Sequence, residues 1–485
     1  MNRAGIVLLG LGPGDPGLIT REAWNILEES SEVWLRTRHH PLVNALPAHL
    51  SVHSFDQLYE QGEKFQIVYD QIVDQVLSLG RRAQGVVYAV PGHPYVAEAT
   101  CPAIAQRANE EGLSVRVIEG LSYVEPTMTA LGLDPLPHTA LVDAMELTAA
   151  NVPPFPPSTP ALICQLYSRD VASDVKLTLM ALYPDEHPVQ LVHAAGTPDA
   201  VVESLALYEI DRSPHIGLLT TLYVPALGPC TSFEAFQEVV ASLRAPDGCP
   251  WDREQTHQTL RSGLLEETYE VLAAIDADDA GAMREEFGDL VLLIVMHAQI
   301  AAEYGEFNMS DVLRDINHKI VHRHPHVFGD LDIGDTGDVL LHWERVKAEE
   351  RAANGKAEAS LLDGVNFSIP ALLQAYEYQL RAAHVGFDWP DVEGVWEKLN
   401  EEINEFRDAS DDRARADEMG DLLLAAVNLS RWYKIDPESA LREANARFRE
   451  RFSQIEDAAR AQNRPLVDLT LDEMEDLWQL AKKRP

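Results

Sequence analysis

The chain has 485 residues, enough for about three domains of ordinary size. Its 78 acidic and 39 basic residues give a formal charge of −39, which argues against general binding to nucleic acid or an anionic membrane. The four cysteines form no C-x-x-C pair, so neither a disulfide framework nor a zinc site is indicated. No apolar stretch approaches the ~20 residues that span a bilayer, and we expect a soluble cytoplasmic protein.

Residues 1–228 are predicted to form an α/β domain, because short β-rich runs alternate with helical stretches. The runs cover residues 5–9, 85–90, 115–118, 161–164, 189–192 and 220–224. Five prolines between residues 153 and 160 exclude a helix there and predict a crossing between two α/β lobes.

Three glycine turns follow strands of this domain and are predicted to bind a ligand. Their residues are Gly10, Gly12, Pro13, Gly14 and Asp15; then Pro91, Gly92 and His93; then Gly120 and Ser122. Turns at the carboxyl ends of parallel strands converge at one edge of a sheet, and glycine lets the backbone approach a ligand closely.

Together the turns resemble those of the tetrapyrrole methylase family over about residues 3–225. The resemblance implies two α/β lobes with S-adenosylmethionine bound in the cleft between them. His93 stands where many of these methylases have aspartate, which puts a corrin or porphyrin substrate in doubt and leaves methyl transfer open.

After Pro229 the sequence changes to amphipathic helical stretches, which we divide into a first repeat, residues 232–354, and a second repeat, residues 355–485. Each repeat contains the pattern E-E-x-x-E followed by E-x-G-D and an apolar run. The acidic residues are Glu266, Glu267, Glu270, Glu286 and Asp289 in the first repeat, and Glu401, Glu402, Glu405, Glu418 and Asp421 in the second.

Residues three or four apart share a helix face, so two neighbouring helices would gather these carboxylates in a small volume. Carboxylates at close range raise one another's pKa values, and a cation of the Mg²⁺ or Mn²⁺ type would neutralise them. A lone E-E-x-x-E run is usually a solvated helix face. Its repetition, each time before an apolar helix, favours a metal site.

A third pattern, N-x-(K/R)-x-x-x-R, follows in both repeats. It comprises Asn317, Lys319 and Arg323 in the first repeat, and Asn445, Arg447 and Arg451 in the second. Basic side chains at i and i+4 lie on one helix face and can meet phosphate oxygens, arginine in a bidentate manner. Carboxylates for a metal beside such a face predict a site for a metal-bound polyphosphate.

Residues 235–485 resemble the MazG family of nucleoside triphosphate pyrophosphohydrolases. The resemblance is carried by the residues around Cys249-Pro250-Trp251-Asp252, Arg323-His324-Pro325-His326-Val327-Phe328, Trp343-Glu344 with residues 347–351, residues 360–364 and residues 385–389. It implies an all-α bundle, usually a homodimer, that hydrolyses a nucleoside triphosphate to the monophosphate and pyrophosphate with Mg²⁺. Fusion to a methylase-like domain is a known arrangement, the YabN type.

By this resemblance the ten acidic residues would be metal ligands and the two N-x-(K/R)-x-x-x-R sets would bind the phosphates. The hypothetical mechanism is attack of a metal-activated water on the α-phosphorus, with one of Glu267, Glu270, Glu402 or Glu405 taking the proton. Glu377 and Leu380 stand where lysines are expected, so the two repeats are expected to differ. The alternatives are a small-molecule methyltransferase whose helical half dimerises, and a sensor of both ligands.

Overall fold

The computed structural model describes residues 5–61, 65–331, 334, 339, 342–343, 345–346, 349–350, 360–363 and 365–482. The chain divides into two compact units, Met1–Gly248 and Cys249–Pro485, called here the N-terminal domain and the helical domain. No helix within the described ranges is both long and apolar enough to cross a membrane. Of the motif residues named above, Glu344, Lys347, Ala348, Arg351 and Gly364 lie outside the described residues.

The first lobe of the N-terminal domain is built on a parallel sheet with the order β3-β2-β4-β1-β5. Its strands are β1 (Ile6–Gly10), β2 (Glu32–Leu35), β3 (Ser51–Ser54), β4 (Val86–Val90) and β5 (Val115–Ile118). Its helices are α1 (Arg21–Glu29), α2 (Asp56–Gln61), α3 (Phe65–Gly80), α4 (Thr100–Glu110) and α5 (Val124–Leu131). Leu8 and Leu9 of the inner strand β1 are fully buried, as expected of a parallel sheet covered on both faces.

The second lobe contains a mixed sheet with the order β6-β7-β10-β8-β9, in which only β6 and β7 run parallel. Its strands are β6 (Ala140–Asp143), β7 (Ala161–Cys164), β8 (Pro188–His193), β9 (Val201–Ala206) and β10 (Thr220–Val224). Helices α6 (Ala144–Thr148), α7 (Arg169–Met180) and α8 (Phe233–Arg244) complete the N-terminal domain. The predicted two-lobed α/β class is confirmed.

The proline-rich segment is not the crossing between the lobes, and that prediction was wrong. Residues 153–160 lie within the second lobe, between α6 and β7, whereas residues 132–139 join α5 of the first lobe to β6 of the second. Proline rings exclude a helix but do not determine which elements a loop connects. Strand β6 was missed because it is a four-residue edge strand with an exposed Leu141.

The helical domain is all-α, as predicted. Within the described residues its helices include α9 (Pro250–Glu254), α10 (Arg261–Asp276), α11 (Ala280–Glu303), α12 (Met309–Arg323), α13 (Pro325–Phe328), α14 (Ala371–His384), α15 (Val392–Asp408), α16 (Asp412–Trp432), α17 (Pro437–Ala461) and α18 (Leu471–Lys482). Helix α10 packs on α11 in the first repeat, and α15 packs on α16 in the second. Asp279 and Asp411 accept hydrogen bonds from backbone N–H groups at the start of α11 and α16. The second helix of each acidic pair therefore begins with the same kind of N-cap.

Candidate metal and phosphate site

The first repeat brings three predicted ligands together across the α10–α11 pair. One carboxylate oxygen from each of Glu267, Glu270 and Glu286 lies within 4.8 Å of the other two. Desolvation, followed by repulsion from Asp289, Glu270 and Glu286, raises the pKa of Glu267. Desolvation and then Glu270 raise the pKa of Glu286 in the same way. The cluster therefore concentrates negative charge that a bound cation would stabilise.

Glu266 is the outer member of the first set. Its residue is exposed, and among the carboxylates that raise the pKa of Glu267 it contributes least. Asp289 acts on both Glu267 and Glu286, which places it beside the cluster although it is exposed. The geometry thus favours Glu267, Glu270, Glu286 and Asp289 over Glu266.

The second repeat forms the matching cluster across α15 and α16. One oxygen from each of Glu402, Glu405 and Glu418 lies within 4.8 Å of the other two. Desolvation, then Glu405, Asp421 and Glu402, raises the pKa of Glu418. Glu402 is only 4% exposed, and its Oε2 is buried without a hydrogen-bond partner among the described residues. A buried carboxylate oxygen without a partner is costly, so these residues fit a divalent cation with oxygen ligands.

Lys398 is a member of the second cluster that the sequence reasoning missed. Its Nζ lies 2.7 Å from Oε1 of Glu402 and 3.1 Å from Oε1 of Glu401. The hydrogen bond to Glu402, ahead of that to Glu401, raises the pKa of Lys398. The signal was present in the sequence, because a lysine four residues before a glutamate faces it on a helix.

The predicted phosphate-binding residues lie on α12 and α17. Asn317, Lys319, Asn445 and Arg447 are exposed, and Arg447 pairs with Glu443 at 3.2 Å. Arg323 donates to Glu350, while the Arg451 guanidinium lies 5.7 Å from the Trp478 ring centroid. Within the described ranges no ion pair joins these side chains to either carboxylate cluster. Their role toward phosphate stays a prediction.

The three glycine turns of the N-terminal domain contact one another, as predicted from their positions at the ends of parallel strands. Gly12 and Gly92 exchange backbone hydrogen bonds of 3.1 and 2.8 Å. A Cβ on Gly10 would lie 2.5 Å from the Gly92 oxygen and 2.7 Å from the Gly120 nitrogen. The glycines at or just after the ends of β1, β4 and β5 are therefore needed for contact between the turns themselves.

His93 keeps the shape of the turn in which it replaces aspartate. Its Nδ1 accepts a 3.0 Å hydrogen bond from the backbone N–H of Tyr95, as an aspartate side chain does two residues before a backbone N–H. Asp15 similarly accepts from Gly17 N. Ser122 N and Oγ both donate to Glu125 at 2.9 and 2.6 Å, so this predicted cofactor residue already has an internal partner.

A fourth turn, residues 194–197 of the second lobe, contacts the first glycine turn and was not predicted from the sequence. Asp15 N donates to Gly196 O at 3.0 Å, and a Cβ on Gly196 would lie 2.6 Å from Cγ of Pro13. Ala194 at the start of this turn has a positive φ of 50°, a strained conformation of the kind that clusters at ligand sites. No pattern in the sequence shows that this second-lobe turn lies against the first glycine loop.

Two family models match the chain. The model of the tetrapyrrole (corrin/porphyrin) methylases matches residues 5–211, and that of the MazG nucleotide pyrophosphohydrolase domain matches residues 255–328. The MazG protein of Thermotoga maritima, a nucleoside triphosphate pyrophosphohydrolase/pyrophosphatase, is 44% identical over 250 residues, which cover 52% of this chain and 95% of that protein. The chain belongs to the MazG family.

The MazG match contains the first carboxylate cluster, and the methylase match contains the three glycine turns. The nucleoside triphosphate pyrophosphohydrolase of Escherichia coli K12 is 43% identical over 252 residues, covering 51% of this chain and 95% of that enzyme. The uncharacterized protein YabN of Bacillus subtilis is 40% identical over 487 residues, covering 99% of this chain and 98% of YabN. The similarity to YabN therefore extends over both domains of this MazG protein.

Proposed function

We propose that the helical domain hydrolyses nucleoside triphosphates to nucleoside monophosphate and pyrophosphate with Mg²⁺, or Mn²⁺, held by its carboxylate clusters. The observation that carries the proposal is the second cluster, where three glutamates converge and Oε2 of buried Glu402 has no described partner. The names of the Thermotoga maritima and Escherichia coli relatives support the same reaction.

In this mechanism the chain positions the substrate and moves one proton. Glu402, Glu405, Glu418 and Asp421 would hold the cation, and their counterparts in the first repeat are Glu267, Glu270, Glu286 and Asp289. Bound Mg²⁺ lowers the pKa of water and neutralises charge on the reacting phosphoryl group. A glutamate whose second oxygen is not a ligand, Glu405 or Glu402, takes the proton from the attacking water. Lys398, Arg447 and Arg451 offer cationic groups to the phosphates.

A panel of nucleoside triphosphates tests this proposal, with pyrophosphate and orthophosphate measured separately. We expect Mg²⁺-dependent pyrophosphate release that is lost when Glu267 and Glu402 are both replaced by glutamine. Exposed Glu397, one turn before Glu401 on the same helix, supplies the matched Glu397→Gln control. Orthophosphate as the main product, or full activity in the double variant, would refute the proposal.

We also propose that the protein is a homodimer through its helical domain. Large apolar side chains remain 41–47% exposed on α11 and α12, among them Phe287, Ile294 and Ile316. A Cβ on Gly288 would meet nothing within 4 Å, so this glycine leaves room beside Phe287 and Asp289. A second copy is the simplest cover for such a face. Light scattering of the full chain should give twice the monomer mass, and Ile294→Glu should reduce it.

The second candidate function is binding of S-adenosylmethionine by the N-terminal domain. Convergence of the turns at Gly12, Gly92 and Gly120, with His93 preserving its turn, favours it. Thr197 lies beside the first turn, since a Cβ on Gly14 would come within 2.9 Å of its Cγ2, and methyl transfer by a bound ligand would need mainly orientation. Calorimetric titration of the full chain with S-adenosylmethionine is the test. A titration without heat, together with no rise in the melting temperature, would exclude this function.

A further inference from the structure

Arg323, predicted to bind phosphate in the first repeat, forms an ion pair with Glu350 of the same chain. Its Nε and Nη2 donate to Oε1 and Oε2 of Glu350 at 3.2 and 2.6 Å. Trp343 Nε1 donates to the Arg323 carbonyl at 2.9 Å, which ties the end of α12 to Trp343. The hydrogen bond from Arg323 is the largest cause that lowers the pKa of Glu350, so this carboxyl is charged at neutral pH.

The chemistry of this contact is that of phosphate binding. A guanidinium presents a planar fork of N–H donors that meets a carboxylate and a phosphate with the same two-point geometry. Glu350 therefore supplies Arg323 with the hydrogen bonds that a phosphate group would supply. Lys319, one turn earlier on the same helix, has a smaller electrostatic effect on Glu350 than Arg323 has.

The second repeat has a different arrangement at the matching position. Arg451 lies over the ring of Trp478, with its guanidinium carbon 5.7 Å from the centroid, and Lys482 Nζ lies 5.9 Å from the same ring. In the part of the chain that the structure describes, Arg451 forms no ion pair with a carboxylate. Its donors are available to an incoming anion, and Lys482 adds positive charge beside the same ring.

The second carboxylate cluster likewise has more positive charge beside it than the first has. Lys398 places an ammonium 2.7 Å from Glu402 in the second repeat, and the aligned residue of the first repeat is Gly263. After desolvation, the groups that raise the pKa values of Glu267 and Glu286 are carboxylates. A triphosphate would meet additional positive charge at the second cluster and only a metal at the first.

We propose that Glu350 occupies the phosphate-binding face of the first repeat and determines that a triphosphate binds more weakly there than at the second repeat. This inference rests on the proposed pyrophosphohydrolase function and assigns unequal substrate affinity to its two sites. The Arg323 and Glu350 side chains are 24% and 32% exposed. Ion pairs at such exposure change an equilibrium by up to about five-fold, so Glu350 competes with a phosphate rather than excluding it.

The test uses the full chain with Glu402→Gln and Glu405→Gln, which leaves the first repeat as the intact site. The probe is α,β-methylene-ATP with Mg²⁺, which cannot be cleaved at the bond in question, and its Kd is measured by calorimetry. Glu350→Gln and Glu350→Ala should each lower the Kd by roughly three- to five-fold. The matched control is Glu349→Gln, because Glu349 is the adjacent acid, 68% exposed and 4.0 Å from Arg345.

A further variant shows whether the gain acts through Arg323. Adding Arg323→Gln to Glu350→Gln should cancel the tighter binding, since no guanidinium is then released. Unchanged affinity in both Glu350 variants, an equal gain in Glu349→Gln, or a gain that survives Arg323→Gln would each overturn the inference. Failure of the proposed function is a separate result: the wild-type chain would then release no pyrophosphate from any triphosphate, whatever Glu350 does to binding.

Discussion

The ammonium of Lys398 lies 2.7 Å from Oε1 of Glu402, one helical turn away, and thereby balances part of the charge of the second carboxylate cluster. Glu402 is 4% exposed, so this contact is formed largely away from water. At the aligned position of the first repeat stands Gly263, which can supply no charge. Two clusters with the same ligand pattern therefore differ in how much of their negative charge is balanced by the chain itself.

Removing the lysine from the second repeat and adding one to the first are expected to change the Mg²⁺ affinities of the two clusters in opposite directions. Lys398→Gln removes a cation that competes for Oε1 of Glu402, so Mg²⁺ in the absence of nucleotide should bind the second repeat roughly five-fold more tightly. Gly263→Lys should weaken the first repeat by a similar factor, and a Cβ at Gly263 would make only ordinary contacts with Leu293. Calorimetry with the opposite cluster disabled checks both; equal affinities before and after would contradict the charge argument.

Removal of the buried glutamate should have a larger effect than removal of its exposed neighbour. Glu402→Gln is expected to weaken Mg²⁺ binding at the second repeat by at least about 100-fold, because it neutralises the buried carboxylate of the cluster. Glu401 is exposed and lies 3.1 Å from Lys398, so Glu401→Gln should have a distinctly smaller effect. Metal titrations of both variants, with the first repeat disabled, decide between them. Equal losses would mean that burial does not rank these ligands.

The stability of the metal-free protein should depend on pH through the clusters. Desolvation and neighbouring carboxylates raise the pKa values of Glu267, Glu286 and Glu418 in the folded state. The folded chain then binds protons more tightly than the unfolded chain between the ordinary glutamate pKa of about 4.3 and the raised values. These groups should therefore make the free energy of unfolding rise as the pH falls through this window.

Thermal melts in EDTA between neutral and mildly acidic pH measure this effect, and Glu267→Gln with Glu418→Gln supplies the comparison that isolates it. The double variant should gain less stability on acidification than the wild type. Saturating Mg²⁺ should stabilise the wild type at neutral pH and abolish the difference, since it neutralises the same carboxylates. Parallel pH profiles in EDTA would show that the clusters do not contribute.

A methyl group on the central glycine of the N-terminal domain should disrupt the convergence of its turns. In Gly10→Ala the new Cβ would lie 2.5 Å from the Gly92 oxygen, so the strand ends must separate. We expect a loss of about 1–3 kcal/mol in the free energy of unfolding of this domain, together with weaker binding of S-adenosylmethionine if the second candidate function holds. Gly217→Ala is the control, because its Cβ would approach nothing closer than 4.0 Å. Denaturant unfolding compares them, and equal stabilities would refute the packing argument.

The sequence by itself determined the features that depend on spacing along one element. Glu267 and Glu270 share a face because they are three residues apart on one helix, and the convergence of Gly10, Gly92 and Gly120 follows from three parallel strand ends at one sheet edge. The apolar runs of β1 and β4 likewise marked the inner strands, whereas the half-exposed edge strands β6 and β9 left no comparable pattern.

Only the tertiary structure decided which distant residues meet. Arg323 pairs with Glu350, Asp15 with Gly196 and Arg442 with Asp276, over separations of 27 to 181 residues that no periodic pattern encodes. The position of the lobe crossing at residues 132–139 was decided in the same way. Local spacing fixes which side chains share a face, whereas the partner across a turn or a domain is selected by the packing of the whole chain, because many alternative partners offer the same charge and hydrogen bonds.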